Sequence, residues 1–109
     1  MAPSTKSGPE LAHMVYFTLK DRSAATIGKL VAACHRYLTD HPGGVYFSVG
    51  TLADIARDVN DRQFDVALHL VFQNREALDA YLVSPRHVQF LAEEKPNFAQ
   101  VRVFDSNLS

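Results

Sequence analysis

The pattern of hydrophobic and polar positions along the chain predicts four strands. The predicted strands are 11–20, 45–52, 64–72 and 98–104, and all are rich in β-branched or aromatic residues. In the first strand, the two alternating sets are Leu11, His13, Val15, Phe17, Leu19 and Ala12, Met14, Tyr16, Thr18. Because both sets are largely apolar, this strand is predicted to be covered on both faces.

Three helices are predicted between the strands, at 23–39, 75–83 and 85–94. The first has an apolar stripe at helical spacing, formed by Ile27, Leu30, Val31, Cys34 and Leu38. Asn74 and Ser84 are predicted to cap the other two helices, since their side chains can accept hydrogen bonds from the first helical turn. The charged segment 53–62 is interpreted as a connection.

The order β-α-β followed by β-α-α-β is typical of an α+β, ferredoxin-like fold, a four-stranded antiparallel sheet with helices on one face. The domain is predicted at 11–105, between a flexible N-terminal tail at 1–10 and a C-terminal tail at 106–109. The second sheet face would expose an apolar patch that monomers rarely tolerate. We therefore predict a homodimer, a dimeric α/β barrel whose sheets pack face to face through Met14 and Tyr16.

Composition and charge exclude several classes of protein. The chain has 109 residues, 47% of them hydrophobic, which suits one folded domain. Its formal net charge is -1 and its basic residues form no run, so no nucleic-acid partner is expected. No apolar stretch has the length of a membrane span. The N-terminus lacks the apolar core of a signal peptide and there is one cysteine, so a cytoplasmic location is expected.

Candidate chemistry rests on two histidines and one tyrosine. His13 opens the first strand on its helix-facing side, Tyr81 lies on the inner face of the second helix, and His87 lies in the first turn of the third. These side chains are predicted to converge between the sheet and the helices. The expected apolar lining of this pocket is Val15, Phe17, Ile27, Leu30 and Leu78. An apolar pocket with a few polar groups is typical of a small-molecule site.

His87 is the candidate general base of this pocket. A helix N-terminus disfavours a protonated imidazole, and a neutral imidazole can accept a proton near pH 7. The alternative is a structural role, in which His13 and His87 hydrogen-bond each other or the backbone. The remaining histidines, interpreted as structural, solvated or interface residues, are His35, His41 and His69. Cys34 is expected to be a buried, inert thiol, and the spacing of these residues predicts neither a metal nor a cofactor.

Four segments of the chain have a recognisable pattern: 12–20, 64–72, 78–90 and 101–105. Together they resemble the Dabb family, the stress-responsive dimeric α/β-barrel domains. The resemblance covers about 11–105 and implies a ferredoxin-like subunit that pairs into a barrel dimer. It differs from the usual family pattern at Ser84, where the family usually has histidine before the proline.

The resemblance also implies roles for the candidate residues. In a cofactor-free polyketide cyclase that belongs to the family, the histidine matching His87 is the base of an aldol cyclisation, while those matching His13 and Tyr81 orient and polarise the substrate. This implies a hydrophobic or aromatic ligand and a cofactor-free cyclase-like or proton-transfer enzyme. Two alternatives stay open: a non-enzymatic stress-responsive oligomer, and a cofactor-independent or haem monooxygenase of a neighbouring barrel family.

Overall fold

The computed structural model describes residues 8–109, and in this part of the chain the strands and helices follow the predicted order. The strands are β1 (Leu11–Leu19), β2 (Gly44–Thr51), β3 (Val66–Phe72) and β4 (Phe98–Asn107). The helices are α1 (Ala24–Tyr37), α2 (Arg75–Leu82) and α3 (Pro85–Glu94), and a 3-10 turn at Lys95–Asn97 joins α3 to β4. The predicted tail at 1–10 lies outside the described residues as far as residue 7.

Each helix begins at a side-chain cap; the sequence predicts the caps at Asn74 and Ser84, and the structure adds Ser23, which is predicted as the first residue of the first helix. Ser23, Asn74 and Ser84 each accept a hydrogen bond from the backbone N–H three residues further on. These caps satisfy donors that the first helical turn leaves unpaired. Pro85 follows Ser84 at a position where a missing N–H costs nothing. The cap therefore fixes the start of α3, and with it the place of His87 in the first turn.

The strands form one antiparallel sheet in the order β2-β3-β1-β4, which confirms the predicted ferredoxin-like fold. β1 is central and pairs with both β3 and β4, and His13 lies directly opposite Asp105. Successive side chains of a strand point to opposite faces. β1 therefore directs His13, Val15 and Phe17 toward the helices, and directs Tyr16 to the other face, called here the open face.

The hydrophobic core lies between the sheet and the helices. Its buried side chains include Phe17, Leu30, Cys34, Leu68, Phe72 and Phe90. Val101 and Val103 lie on the helix side of β4, opposite Phe17 and Val15. They are nevertheless 40% and 48% exposed, which shows that the helices do not cover β4. None of the helices between residues 8 and 109 has the length and apolar character that crossing a bilayer requires.

The third strand begins two residues later than predicted, at Val66 instead of residue 64. Asp65 still bonds β1, since its N–H donates to the Phe17 carbonyl over 2.7 Å, and its carboxylate accepts hydrogen bonds from the Leu19 N–H and the Arg22 side chain. This carboxylate is buried and paired with a cation, as a buried charge requires. Polar contacts with the end of β1 thus anchor the start of β3.

The C-terminal strand is longer than predicted, and the structure corrects the predicted tail at 106–109. β4 extends to Asn107, which lies opposite Leu11, and the Leu108 N–H donates to the Glu10 carbonyl over 2.8 Å. Asp, Ser and Asn have low strand propensity, so the residue pattern predicts an end near 104 or 105. Backbone pairing with β1 overrides that preference.

Candidate functional site

A cavity of about 290 Å³ opens between β1, β4 and the helices α2 and α3. Its apolar lining includes Val15, Phe17, Leu68, Phe90, Phe98 and Val103. Its polar or titratable side chains are His13, Tyr81, His87 and Lys95. A closed cavity of about 150 Å³ already binds benzene, so this volume suits an aromatic ring with a short chain.

The structure brings together the three residues predicted to converge. The Tyr81 ring meets the His87 ring edge-on at 4.8 Å between centroids, and the His13 ring at 6.1 Å. Tyr81 is buried, and its hydroxyl has no hydrogen-bond partner among residues 8–109. Burial raises the pKa of Tyr81 well above its ordinary value, so its hydroxyl stays protonated and can donate.

His87 has a buried ring nitrogen, Nδ1, that lacks a hydrogen-bond partner among the described residues. Burial lowers the pKa of His87, and the neighbouring His13 and His41 add to that effect, while the Leu82 backbone opposes it. The imidazole is therefore neutral near pH 7 and can accept a proton. A buried polar atom without a partner is rare and calls for an explanation such as a ligand.

His13 is held by a carboxylate. Its Nδ1–H donates to Asp105 Oδ1 over 2.5 Å, and the His13 side chain is 8% exposed while that of Asp105 is 45% exposed. This bond fixes the imidazole ring and leaves Nε2 as its second functional nitrogen. His13 and His87 do not hydrogen-bond each other, which was one form of the structural alternative. His13 instead bonds Asp105, and the Nδ1 atom of His87 has no partner in the described part of the chain.

Lys95 lines the cavity and Asp105 bonds His13, and the sequence predicts neither residue as part of the site. A weak signal for Asp105 exists, because it continues the alternation of Val101 and Val103 on the helix side of β4. Only the β1–β4 register places it opposite His13. Lys95 gives no such signal, since it lies in the turn between α3 and β4.

The predicted apolar lining is placed in two different regions. Val15 and Phe17 line the cavity, whereas Ile27, Leu30 and Leu78 do not. Leu30 and Leu78 are buried in the core, and Ile27 packs against it. α1 contacts β2, β3 and α3, and of its apolar stripe only Leu38, at the C-terminal cap, lines the cavity. Helical spacing shows which face points inward but not which strands that face meets.

The remaining candidate groups lie outside the cavity. Cys34 is buried, and burial raises its pKa to about 12, so the thiol stays protonated. The His41 Nε2–H donates to the Tyr37 carbonyl, and His69 lies on the open face beside Ser48 at 3.4 Å. Residues 8–109 contain no group of three or more His, Cys, Asp or Glu placed to hold a metal ion.

Comparison with known families gives one match that covers most of the chain. The family model described as Dabb, the stress responsive A/B barrel domain, matches residues 11–108. A search of the curated proteins gives no match.

Solved structures of similar shape come from bacteria and a plant. A dimeric ferredoxin-like protein of unknown function from Thermobifida fusca has a TM-score of 0.79 and 19% identity, over 94% of each chain. A Dabb family protein with a ferredoxin-like fold from Mesorhizobium loti has a TM-score of 0.77 and 19% identity, over 93% of this chain and 98% of its own. The hydroxynitrile lyase of Passiflora edulis has a TM-score of 0.75 and 21% identity, over 94% and 96%. At these identities the likeness shows the fold.

Proposed function

Because the chain belongs to the stress-responsive A/B barrel (Dabb) family, we propose that it is a homodimer that binds a hydrophobic or aromatic small molecule. We place the ligand in the cavity between the sheet and the helices, and assign a cofactor-free proton transfer to that site. One observation carries this proposal: His13, Tyr81 and His87 lie together at a mostly apolar cavity of about 290 Å³. Such a cavity excludes water from a ligand while offering it a few polar contacts.

The proposed chemistry uses each group in the state that its surroundings favour. His87 accepts a proton from a carbon next to a carbonyl group, because its lowered pKa keeps it neutral. Tyr81 donates a hydrogen bond to the carbonyl oxygen as negative charge develops there. The proton then returns from His87 to the product. This sequence changes no oxidation state, so it needs neither a redox cofactor nor oxygen.

His13 has a positioning role in this proposal. Asp105 holds its ring, and the ring lies against the edge of Tyr81. His13 thereby limits where the Tyr81 ring and a bound ligand can lie. In a solvent-poor site, a group that is already oriented costs no reorganisation during the reaction.

The open face supports the proposed homodimer. Tyr46 and Phe104 are 56% and 54% exposed there, and Tyr16 packs against Phe104 at 5.9 Å. Burying apolar surface contributes about 25 cal/mol per Å², so a second copy packed on this face would gain stability. The Thermobifida fusca protein of the same fold is described as dimeric.

Turnover of a panel of poly-β-ketones, phenols and hydroxynitriles tests the enzymatic part. Hydroxynitriles are included because the Passiflora edulis lyase shares the fold. We expect His87→Ala to reduce turnover by about 100-fold or more, the usual contribution of a general base. His35→Ala is the matched control, since His35 is an exposed histidine on α1 outside the cavity.

The same assay separates the alternatives. Equal rates for the wild type and His87→Ala would show that His87 is not the base. Ligand binding without turnover of any substrate in the panel would reject the enzyme and favour a non-enzymatic binding protein. A Soret band on addition of haem would favour a haem-binding relative.

A further inference from the structure

The two ends of the cavity differ in charge. At one end, Asp105 bonds His13 on the paired strands β1 and β4. Toward the other end, Phe17 lies opposite Val101. His13 and Phe17 are four residues apart on one strand, which corresponds to about 13 Å. Asp105 does not line the cavity but lies behind His13, so a carboxylate borders this end, and the cavity has room along β1 for a ligand of that length.

Lys95 lies at the end opposite Asp105. It begins the turn Lys95–Asn97, and the Asn97 carbonyl accepts a hydrogen bond from the Lys20 N–H over 2.8 Å. Lys20 directly follows β1, so this turn lies at the end of β1 that is far from His13. Lys95 is also the one lysine or arginine that lines the cavity.

No carboxylate among residues 8–109 forms an ion pair with Lys95. The two acidic residues before it have other partners: Glu94 lies 3.9 Å from Lys29, and Glu93 accepts hydrogen bonds from Tyr37 and Gln89. The Lys95 ammonium is therefore available to an anion. Its aliphatic stem extends the apolar wall while the charged head stays near water.

We propose that the ligand is an amphipathic monocarboxylic acid, bound with its carboxylate at Lys95 and its apolar body toward Tyr81 and His87. This inference rests on the proposed ligand site and adds the chemical class and the direction of the ligand. The reverse direction is disfavoured because it would bring the carboxylate near Asp105. His13 at that end already bonds Asp105, and the lowered pKa of His87 disfavours its cationic form.

Calorimetric titration of the full chain with 4-phenylbutanoate and with 4-phenylbutanamide tests this inference. The two probes have the same size and apolar body and differ in charge, and both suit a cavity of about 290 Å³. We expect the wild type to bind the acid about fivefold more tightly than the amide, the scale of a partly solvated ion pair. Raising the salt concentration should weaken binding of the acid but not of the amide.

Variants assign the preference to one side chain. Lys95→Met should remove the preference for the acid, measured as the ratio of the affinities for the acid and the amide. Lys95→Arg should retain the preference, because it keeps the charge. Lys20→Met is the matched control, since Lys20 is an exposed lysine near the same end of β1 that does not line the cavity.

The possible results distinguish the two proposals. If the acid and the amide bind the wild type equally, or if Lys95→Met keeps the preference for the acid, the assignment of Lys95 is overturned and the apolar site stands. If neither probe binds at millimolar concentration, the ligand site fails together with this inference. A preference for the acid that Lys95→Met removes and Lys20→Met retains would support it.

Discussion

Alternate residues of β1 belong to two surfaces with different properties. On the helix side, His13, Val15 and Phe17 are 6%, 5% and 3% exposed. On the open face, Met14 and Tyr16 are half-buried within the single chain. Both sets are largely apolar, so hydrophobicity alone does not distinguish them. The two faces differ in what covers them, because the helices lie on one face and leave the other uncovered.

The helices that cover one face of the sheet change the pKa values of side chains there as well as their exposure. On the helix side, burial shifts the pKa values of Tyr81 and His87 in opposite directions, and both shifts favour the neutral form. On the open face, Tyr16 packs edge-on against Phe64 and Phe104. The covered face therefore suits proton transfer and the open face suits association, as we propose above.

The largest expected effect is on stability, from a substitution on the covered face. Phe17→Ala should lower the free energy of unfolding by about 3–5 kcal/mol, because Phe17 is 3% exposed and packs against Phe90 and Phe98. Thr18→Ala, the next residue on the open face, should cost less than about 1 kcal/mol. Urea denaturation measures both. Similar losses for the two variants would contradict the contrast between the faces.

The next effect concerns association through the open face. Phe104→Asp should weaken the proposed dimer by about 30-fold or more, since it places a charge on a large exposed aromatic position. Val88→Asp is the control, because Val88 is 56% exposed on α3. Light scattering should give the wild type a mass near twice 12.1 kDa. A wild type that stays at 12.1 kDa at micromolar concentration would reject the dimer.

A smaller effect on stability and on kcat is expected when the carboxylate of Asp105, which bonds His13, is replaced. Asp105→Asn keeps a hydrogen-bond acceptor and removes the charge, and the carboxylate is 45% exposed. We therefore expect the free energy of unfolding to fall by less than about 1 kcal/mol. On any substrate that the protein turns over, kcat should fall while KM is unchanged, as for a positioning group. An increase in KM at constant kcat would instead indicate that Asp105 contacts the ligand.

The smallest effect is a pH dependence that arises from His87. Its pKa is lower in the folded protein than in the unfolded chain, where it is about 6.5. As the pH falls below about 6.5, the unfolded chain binds protons that the folded protein resists, so this contribution to stability is lost. Above that pH it is fully present. Comparing pH titrations of unfolding for the wild type and His87→Gln isolates it, and parallel curves would contradict the assignment.

Much of the fold could be predicted because its signals are local. Asn74 and Ser84 are helix caps as predicted, since a cap depends on a few neighbouring residues. The alternation in β1 also separates its two faces, as predicted. The boundaries at Val66 and Asn107 could not be predicted in this way, because they depend on hydrogen bonds to β1 from distant parts of the chain.

The candidate site also has one part that local patterns predict and one part that they do not. Periodicity places His13, Tyr81 and His87 on inward faces, and the structure brings them together. Ile27 and Leu30 also lie on an inward face, yet this part of α1 packs toward β2 and β3 and does not line the cavity. Inward orientation is a property of one element, whereas sharing a cavity depends on which elements pack together.

The sequence by itself determined the order of the elements, their caps and the two apolar faces of β1, because each follows from interactions over a few residues. The tertiary structure decided the partner of His13, the unpaired nitrogen of His87 and the position of Lys95 opposite Asp105. These depend on strand register and helix placement, which join residues up to 92 positions apart. Such contacts are set by the packing of the whole domain.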